Sequence, residues 1–378
     1  MNFYFVYSGG GGAGDWGGVN RIWNDHMPKY FKDHLLIKFG DIYFNHKGAK
    51  NLIRAEQWEN TSSASQWLSF KIQNNVIPSE NLILDVGTTK IVNYIDSHNP
   101  NINNIQIIEK FDQIVSEYRI LDKFCDFVID SKISNAVTFD IPNPFKVRNQ
   151  SGNPIRNIFN DSACKPALID KCVKYANYTH NYIKDESKLL TILPGFLKGE
   201  EIINYLDRLS YSPSKLAIGA LIDMNNNEFI ETIKDINHVL DLHSFKKVHF
   251  LGCGGIKKAL LIKSTIGNND NFSVDNTTAY NRVIDGATNG NKSSKNNQSC
   301  YIDYSNKKLY RIKPETKSVI LSIHRNTDNN LKLYADSQME DILNSIIEHQ
   351  SGNSSTFTYN SRAKLIMHNF DVFRHNAS

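Results

Sequence analysis

Short apolar runs that stop at a glycine, a proline or an acid alternate along this chain with stretches of helical spacing. Lys246 to Leu251 is one such run, closed by Gly252, and Asn271 to Val274 is another, which delivers Asp275 at its end. Between them lies a helical stretch, so the order strand, glycine turn, helix, strand describes a βα unit. Asn81 to Leu84 repeats the pattern and ends in Asp85 and Gly87. Phe127 to Ile129 and Ala136 to Phe139 read as short strands, the second running into Asp140 and stopped by Pro142. Leu189 to Leu193 is broken by Pro194-Gly195, and Lys215 to Leu221 is a strand with Gly219 inside it. Helical periodicity covers Ile105 to Phe124, with Ile107, Ile108, Phe111, Ile114, Val115 and Tyr118 on one face. It returns in Pro166 to Lys184, Glu200 to Leu209 and Glu228 to Leu242. Strands alternating with helices from about residue 81 to 286 predict a parallel α/β architecture, read here as a (β/α)8 TIM-like barrel.

Outside that region the pattern changes. Residues 2 to 7 read as a strand that runs into a glycine-rich stretch over 8–18. Dense glycine satisfies the dinucleotide-binding pattern trivially, yet no helix opens on its third glycine and no Lys-Ser/Thr follows, so a covering or surface loop is the expectation. Its backbone N–H groups could hold a substrate phosphate. Leu35 to Phe44 reads as a strand pair around Gly40, and Ala64 to Gln73 as a helix. Residues 146–165 are polar and turn-rich, an inserted loop. Beyond Gly286, residues 288–299 form a Gly/Asn/Ser/Lys loop, Tyr301 to Ile312 a hairpin across Ser305-Asn306, and Ser318 to His324 a strand. Ser337-Gln338-Met339-Glu340 reads as a capping box for a helix to about Gln350, and Leu365 to Asn369 is helical. The resulting division is an amino-terminal strand and glycine-rich extension packed on the barrel (1–80), a barrel core (81–286) and a carboxyl-terminal α+β appendage (287–378).

A length of 378 residues suits a barrel of roughly 250 residues with insertions. The hydrophobic fraction of 40% and charged fraction of 22% are those of a globular protein and exclude disorder of the whole chain. A net charge of +4 permits a nucleic-acid partner without requiring one. The cysteines, Cys125, Cys164, Cys172, Cys253 and Cys300, are odd in number and form no CxxC pair, which argues against a disulfide framework or a four-cysteine zinc site. No run approaches the roughly 20 apolar residues needed to cross a bilayer, and the apolar start lacks a signal peptide's length and basic flank. A cytoplasmic protein is expected, without a membrane partner.

Asp85, Asp140 and Asp275 each sit at the end of an expected strand, with backbone-exposing glycines at Gly195, Gly219 and Gly252. In a β/α barrel the carboxyl ends of the strands face the pocket, so these residues converge if the strands are parallel neighbours. Asp275 reads equally well as a cap for a helix starting at Thr277. Acids without neighbouring metal-binding histidines point to nucleophilic and proton-transfer chemistry, such as displacement at a sugar anomeric carbon. No metal and no cofactor is expected.

In this order and spacing the motifs resemble the tRNA-guanine transglycosylase superfamily, a β/α barrel that exchanges guanine for a 7-deazaguanine. They are Leu84-Asp85-Val86-Gly87, Phe139-Asp140, Leu193-Pro194-Gly195, Ala217-Ile218-Gly219-Ala220-Leu221, His249-Phe250-Leu251-Gly252, Ser273-Val274-Asp275 and His368-Asn369. The resemblance implies that Asp275 attacks C1′ to form a covalent glycosyl enzyme and that Asp85 is the general acid/base. It implies that Asp140 accepts hydrogen bonds from the N1 and N2 edge of guanine. Gly219 and Leu221 would read the carbonyl side of the base, Leu251 would pack on its face, and Gly195 would let it approach. Val86 stands where the family has serine, Pro194 where it usually has glutamine, and Thr89 near where an aromatic stacks. The family's CxCxxC zinc cluster is missing, which makes His368 a structural residue by expectation.

A zinc-less member with a glycine-rich amino-terminal stretch is similar to the phage and bacterial branch that modifies DNA. By that resemblance the partners are guanine-containing DNA and a 7-deazaguanine base (preQ0-like), in a host cytoplasm if phage-encoded, with a homodimer as one option. The Asn-, Lys- and Ile-rich composition suits an AT-rich phage genome. Arg282, Lys292, Lys295, Lys307, Lys308 and Arg311 are candidates for phosphate contacts. The alternatives are an enzyme acting on tRNA, a plain N-glycosidase, and an inactive barrel that binds nucleic acid.

Overall fold

The structure, a computed structural model, describes residues 1–7, 34–44, 50–53, 81–99, 102–131, 133–142, 164–222, 224–276, 299–350 and 356–377. The glycine-rich stretch 8–18, the expected helix over 64–73, the insertion at 146–163 and the loop over 288–298 lie outside them.

Eight parallel strands close into a barrel in sequence order. They are β1 (Asn2–Tyr7), β2 (Leu35–Lys38), β3 (Leu82–Asp85), β4 (Asn135–Val137), β5 (Leu189–Pro194), β6 (Lys215–Gly219), β7 (Lys247–Phe250) and β8 (Phe272–Asn276). Closure runs through β1, which pairs with β2 on one side and with β8 on the other, Tyr4 opposite Asp275. The fold is therefore the expected (β/α)8 barrel, with one correction. Residues 2–7 and 35–38 are its first two staves, so the barrel begins at residue 2 and nothing in those segments is an extension packed on it.

Side chains alternate across each strand, and the two faces separate cleanly. Tyr4, Val6, Leu36, Ile83, Val137, Leu190, Ile192 and Ala217 fill the interior, with Leu251 packed on them. Their neighbours Phe3, Phe5, Leu35, Ile37, Leu82, Leu84, Leu216, Ile218, Val248, Phe250 and Val274 join the outer core under the helices. Because both faces are covered, the strands read as continuous apolar runs.

The helices outside are α1 (Phe39–Tyr43), α2 (Thr89–His98), α3 (Asn104–Glu117), α4 (Ile120–Asp130), α5 (Cys164–Ile183), α6 (Glu200–Asp207), α7 (Asn226–Leu240) and α8 (Ile256–Ile266). α3 and α7 open with capping boxes, Asn103 with Gln106 and Asn225 with Glu228. Several expected elements change identity. Phe127 to Ile129 belongs to α4, because Ile120, Leu121, Phe124, Cys125, Phe127 and Val128 form one buried helical face. The long helix expected over 105–124 is two helices, broken where Arg119 adopts a left-handed conformation (φ 51°). Residues 39–43, expected as a strand, form the short helix α1.

After β8 the chain forms a hairpin, β9 (Cys300–Ile302) and β10 (Leu309–Arg311), as expected. Helices α9 (Pro314–Asn326), α10 (Asp336–Gln350) and α11 (Thr356–Ala377) follow. α9 replaces the strand expected over 318–324: Pro314 occupies its first turn, Thr316 Oγ1 accepts from Lys313 N, and Ile320, Leu321 and His324 are buried at helical spacing. α11 seals the outside of the barrel, with Phe370 4.1 Å from Phe5 and Phe373 stacked on Phe3 at 6.2 Å. Its His368-Asn369 pair anchors the hairpin. Asn369 accepts from Ile302 N at 3.0 Å and donates to Cys300 O at 2.9 Å, while His368 Nε2 donates to Ile302 O at 2.9 Å. His368 is thus a hydrogen-bonded structural residue, its ring stacked on Tyr301.

Candidate active site

β7 and β8 carry three polar side chains into the barrel interior, His249, Ser273 and Asp275, all at least 95% buried. Strand register sets His249 opposite Ser273. The imidazole bridges the two residues, with Nδ1 2.9 Å from Ser273 Oγ and Nε2 3.1 Å from Asp275 Oδ1. A carboxylate accepts only, so Nε2 carries the proton, while the single Ser273 hydroxyl proton has both Nδ1 at 2.9 Å and Val248 O at 3.4 Å as acceptors. Gly252 N donates to the same Asp275 oxygen at 2.6 Å. That amide points inward because Gly252 adopts φ +70°, where an L side chain is strained. Asp275 Oδ1 is therefore fixed by two donors, and among the described residues Oδ2 has no hydrogen-bond partner. The carboxylate is held across the barrel by β7 and the turn after it, and the residues a helix cap would serve, from Thr277 on, lie outside the described residues.

A second acidic group lies at the ends of β3 and β4. Asp85 is the last residue of β3, half-buried, two positions beyond the inward-facing Ile83 and so on the same inner face. Lys38, two beyond Leu36, occupies the matching place on β2 and is its register partner. Asp140 follows β4 and receives the Thr88 hydroxyl at 3.3 Å. Burial, with the neighbouring Asp85 charge second, raises the Asp140 carboxyl to about 7, against the opposing Thr88 hydrogen bond. Two carboxylates this close do not both ionise readily, so the pair can hold one proton between them.

The wall between the two groups comes from β5, β6 and β7. Gly195 N donates to Gly219 O at 3.0 Å, and a Cβ at Gly195 would lie 2.5 Å from that oxygen and 2.6 Å from Leu221 Cδ2. Only glycine allows this approach. Leu221 is fully buried, and its carbonyl is held by Lys258 Nζ from α8 at 2.5 Å. Leu251 donates its amide to Ile218 O and lays its side chain on the interior cluster.

The expected site residues Asp275, Asp85, Asp140, Gly195, Gly219, Leu221 and Leu251 thus all lie at the carboxyl ends of the barrel strands or just after them. Of the expected phosphate contacts, Lys307, Lys308 and Arg311 sit on the β9–β10 hairpin, a sheet separate from the barrel, while Arg282, Lys292 and Lys295 lie outside the described residues. Sequence reasoning gave no role to His249, Ser273, Thr88 or Lys38. A histidine two positions before the end of an apolar strand was the available signal for His249, and the two-residue spacing from Asp275 was that for Ser273.

Among the described residues no group of three or more His, Cys, Asp and Glu side chains could hold a metal ion, and no helix is long and apolar enough to cross a membrane. All five cysteines are buried free thiols. The site as described holds carboxylates, a histidine, a lysine, hydroxyls and backbone amides. Compared with protein-family models and with curated proteins, the chain matches none.

Proposed function

We propose that this protein is a DNA-guanine transglycosylase that exchanges guanine in DNA for a 7-deazaguanine base through a covalent glycosyl enzyme. The observation that carries the reading is the placement of three carboxylates at the carboxyl ends of the barrel strands, Asp275 on β8 and Asp85 and Asp140 by β3 and β4. Asp275 has one oxygen fixed by Gly252 and His249 and the other unbonded among the described residues. Asp85 and Asp140 form a separate, electrostatically coupled pair.

In the proposed reaction Asp275 Oδ2 attacks C1′ of a flipped-out deoxyguanosine, and the C1′–N9 bond breaks as the bonding pair leaves with guanine. Asp85 gives the departing base its proton. Asp85 then takes the N9 proton of the incoming 7-deazaguanine, whose nitrogen attacks C1′ and expels Asp275, so that atoms and charge balance over the cycle. Asp140, when ionised, accepts from N1–H and N2–H of either base. His249 and Ser273 act through Asp275 and are positioning residues.

The deciding experiment incubates the protein with guanine-containing DNA, or separately with tRNA, plus 7-deazaguanine bases, and follows base exchange and a covalent adduct on Asp275. Exchange into DNA that disappears in Asp275→Ala supports the reading. Exchange confined to tRNA moves the substrate to RNA, and the absence of both exchange and adduct overturns the enzyme reading.

A further inference from the structure

The opposite mouth of the barrel holds a cavity of about 570 Å³ whose chemistry the proposed reaction does not use. Its lining includes Lys188, Lys215, Lys246 and Lys247, with Asn135 and a single carboxylate, Asp270. Strand alternation explains the convergence. Lys215 and Lys247 lie two residues before the inward-facing Ala217 and His249, and Asn135 two before Val137, so β4, β6 and β7 each start with a polar side chain on the inner face.

These ammonium groups are pressed together in a partly dry place. Lys247 Nζ donates to Tyr4 OH and is held down to about 8, by burial first and the Lys215 charge second. Lys215 donates to Ser187 O and Asn135 Oδ1, and burial followed by the Lys246 charge lowers it as well. Lys188 leans towards Asp185 at 3.6 Å, and Lys246 forms no ion pair among the described residues. Stability alone does not call for four lysines here, where the nearby carboxylates are Asp270 in the lining and Asp185 beside Lys188. A multiply charged oxyanion supplies the missing counter-charge and matches the point-charge donors that lysine offers.

We propose that the amino-terminal mouth of the barrel is a binding site for a small phosphate-bearing molecule, held by Lys188, Lys215, Lys246 and Lys247. The site faces away from the rim that carries Asp275 and is independent of the proposed base exchange. The volume lies within the usual range for a small-molecule pocket and accommodates a ligand up to the size of a nucleotide. Lysines at the rim provide attraction, and the asparagine amides of the lining provide further donors.

The test measures binding of inorganic phosphate, pyrophosphate and AMP to the full chain by calorimetry and by thermal unfolding, at ionic strength balanced with sodium chloride. Pyrophosphate is expected to bind saturably and raise the unfolding midpoint. The double variant Lys188→Gln/Lys246→Gln, which changes the two outer lysines and spares the inner pair, is expected to weaken binding at least tenfold, with Lys110→Gln as an unaffected control. A preference for AMP over pyrophosphate assigns the source to a nucleotide, and the reverse assigns it to a free phosphate. A midpoint shift no larger than that of chloride at equal ionic strength overturns the proposal. So does equal binding by the double variant, or displacement of pyrophosphate only by duplex DNA, which would make the face a polyanion surface.

Discussion

His249 Nε2 lies 3.1 Å from Asp275 Oδ1, and the pair is buried together at the end of two adjacent barrel strands. The imidazole holds one carboxylate oxygen, the second has no hydrogen-bond partner among the described residues, and the ring itself contacts Ser273 Oγ. Replacing His249 by Ala removes a donor to Asp275 and empties a fully buried position. A fall of about 10- to 100-fold in the exchange rate is expected, with a loss of about 2–4 kcal/mol of stability. His249→Gln, which retains a donor, should recover part of the rate, a result that separates positioning from packing. Rates of adduct formation in the two variants provide the measurement.

Asp140 makes a pH-dependent contribution of defined sign. Its carboxyl is raised from 3.8 to about 7 in the fold, so the protonated form is favoured and the associated stability is present below pH 4 and lost as pH rises through 7. Asp140→Asn should therefore stabilise the protein at pH 8, by about 1–3 kcal/mol after allowance for partial exposure. The gain should vanish near pH 4. In the proposed reaction the ionised form accepts from the base, so the wild-type KM for guanine should fall between pH 6 and 8 while Asp140→Asn loses that dependence. Urea titrations at the two pH values and a KM profile test both halves.

Gly195→Ala places a methyl group 2.5 Å from Gly219 O and 2.6 Å from Leu221 Cδ2. The backbone oxygen cannot swing away, so β5 and β6 must separate where they pair Pro194 with Gly219. A destabilisation of about 2–4 kcal/mol is expected, together with a loss of base affinity. Melting temperatures and base affinities of Gly195→Ala and the wild type check both.

Asn369→Ala leaves Ile302 N and Cys300 O without their side-chain partners in a buried place. The hairpin should lose its anchor on α11 at a cost of about 2–4 kcal/mol. Burial holds the His368 imidazole down to about 3, with the backbone bond to Ile302 opposing it. A depressed imidazole contributes stability above its ordinary value of 6.5 that is lost as pH falls towards 3. Hydrogen exchange of the Ile302 amide should accelerate in the variant, and in the wild type between pH 6 and 4 after correction for intrinsic rates.

The barrel and the places of its acids were legible in the sequence because they depend on local pattern. Apolar runs ending in Asp85 and Asp275 locate strand ends whatever packs around them, Asp140 falls three residues past the end of β4, and Gly195 marks a close backbone approach to Gly219. Periodicity of short runs, in contrast, does not distinguish a strand from a turn of buried helix. Phe127 to Ile129 and Ser318 to His324 became helical because flanking residues extended a helical face, and in the second case because Pro314 started one. That residues 2–7 and 35–38 are barrel staves rather than an extension follows from closure, since a parallel sheet of β3 to β8 alone would leave two open edges. Only the tertiary structure could bring His249 to Asp275, or gather Lys188, Lys215, Lys246 and Lys247 around one cavity. Both depend on inter-strand register, which is set by how eight separate segments pair, and no single segment encodes it.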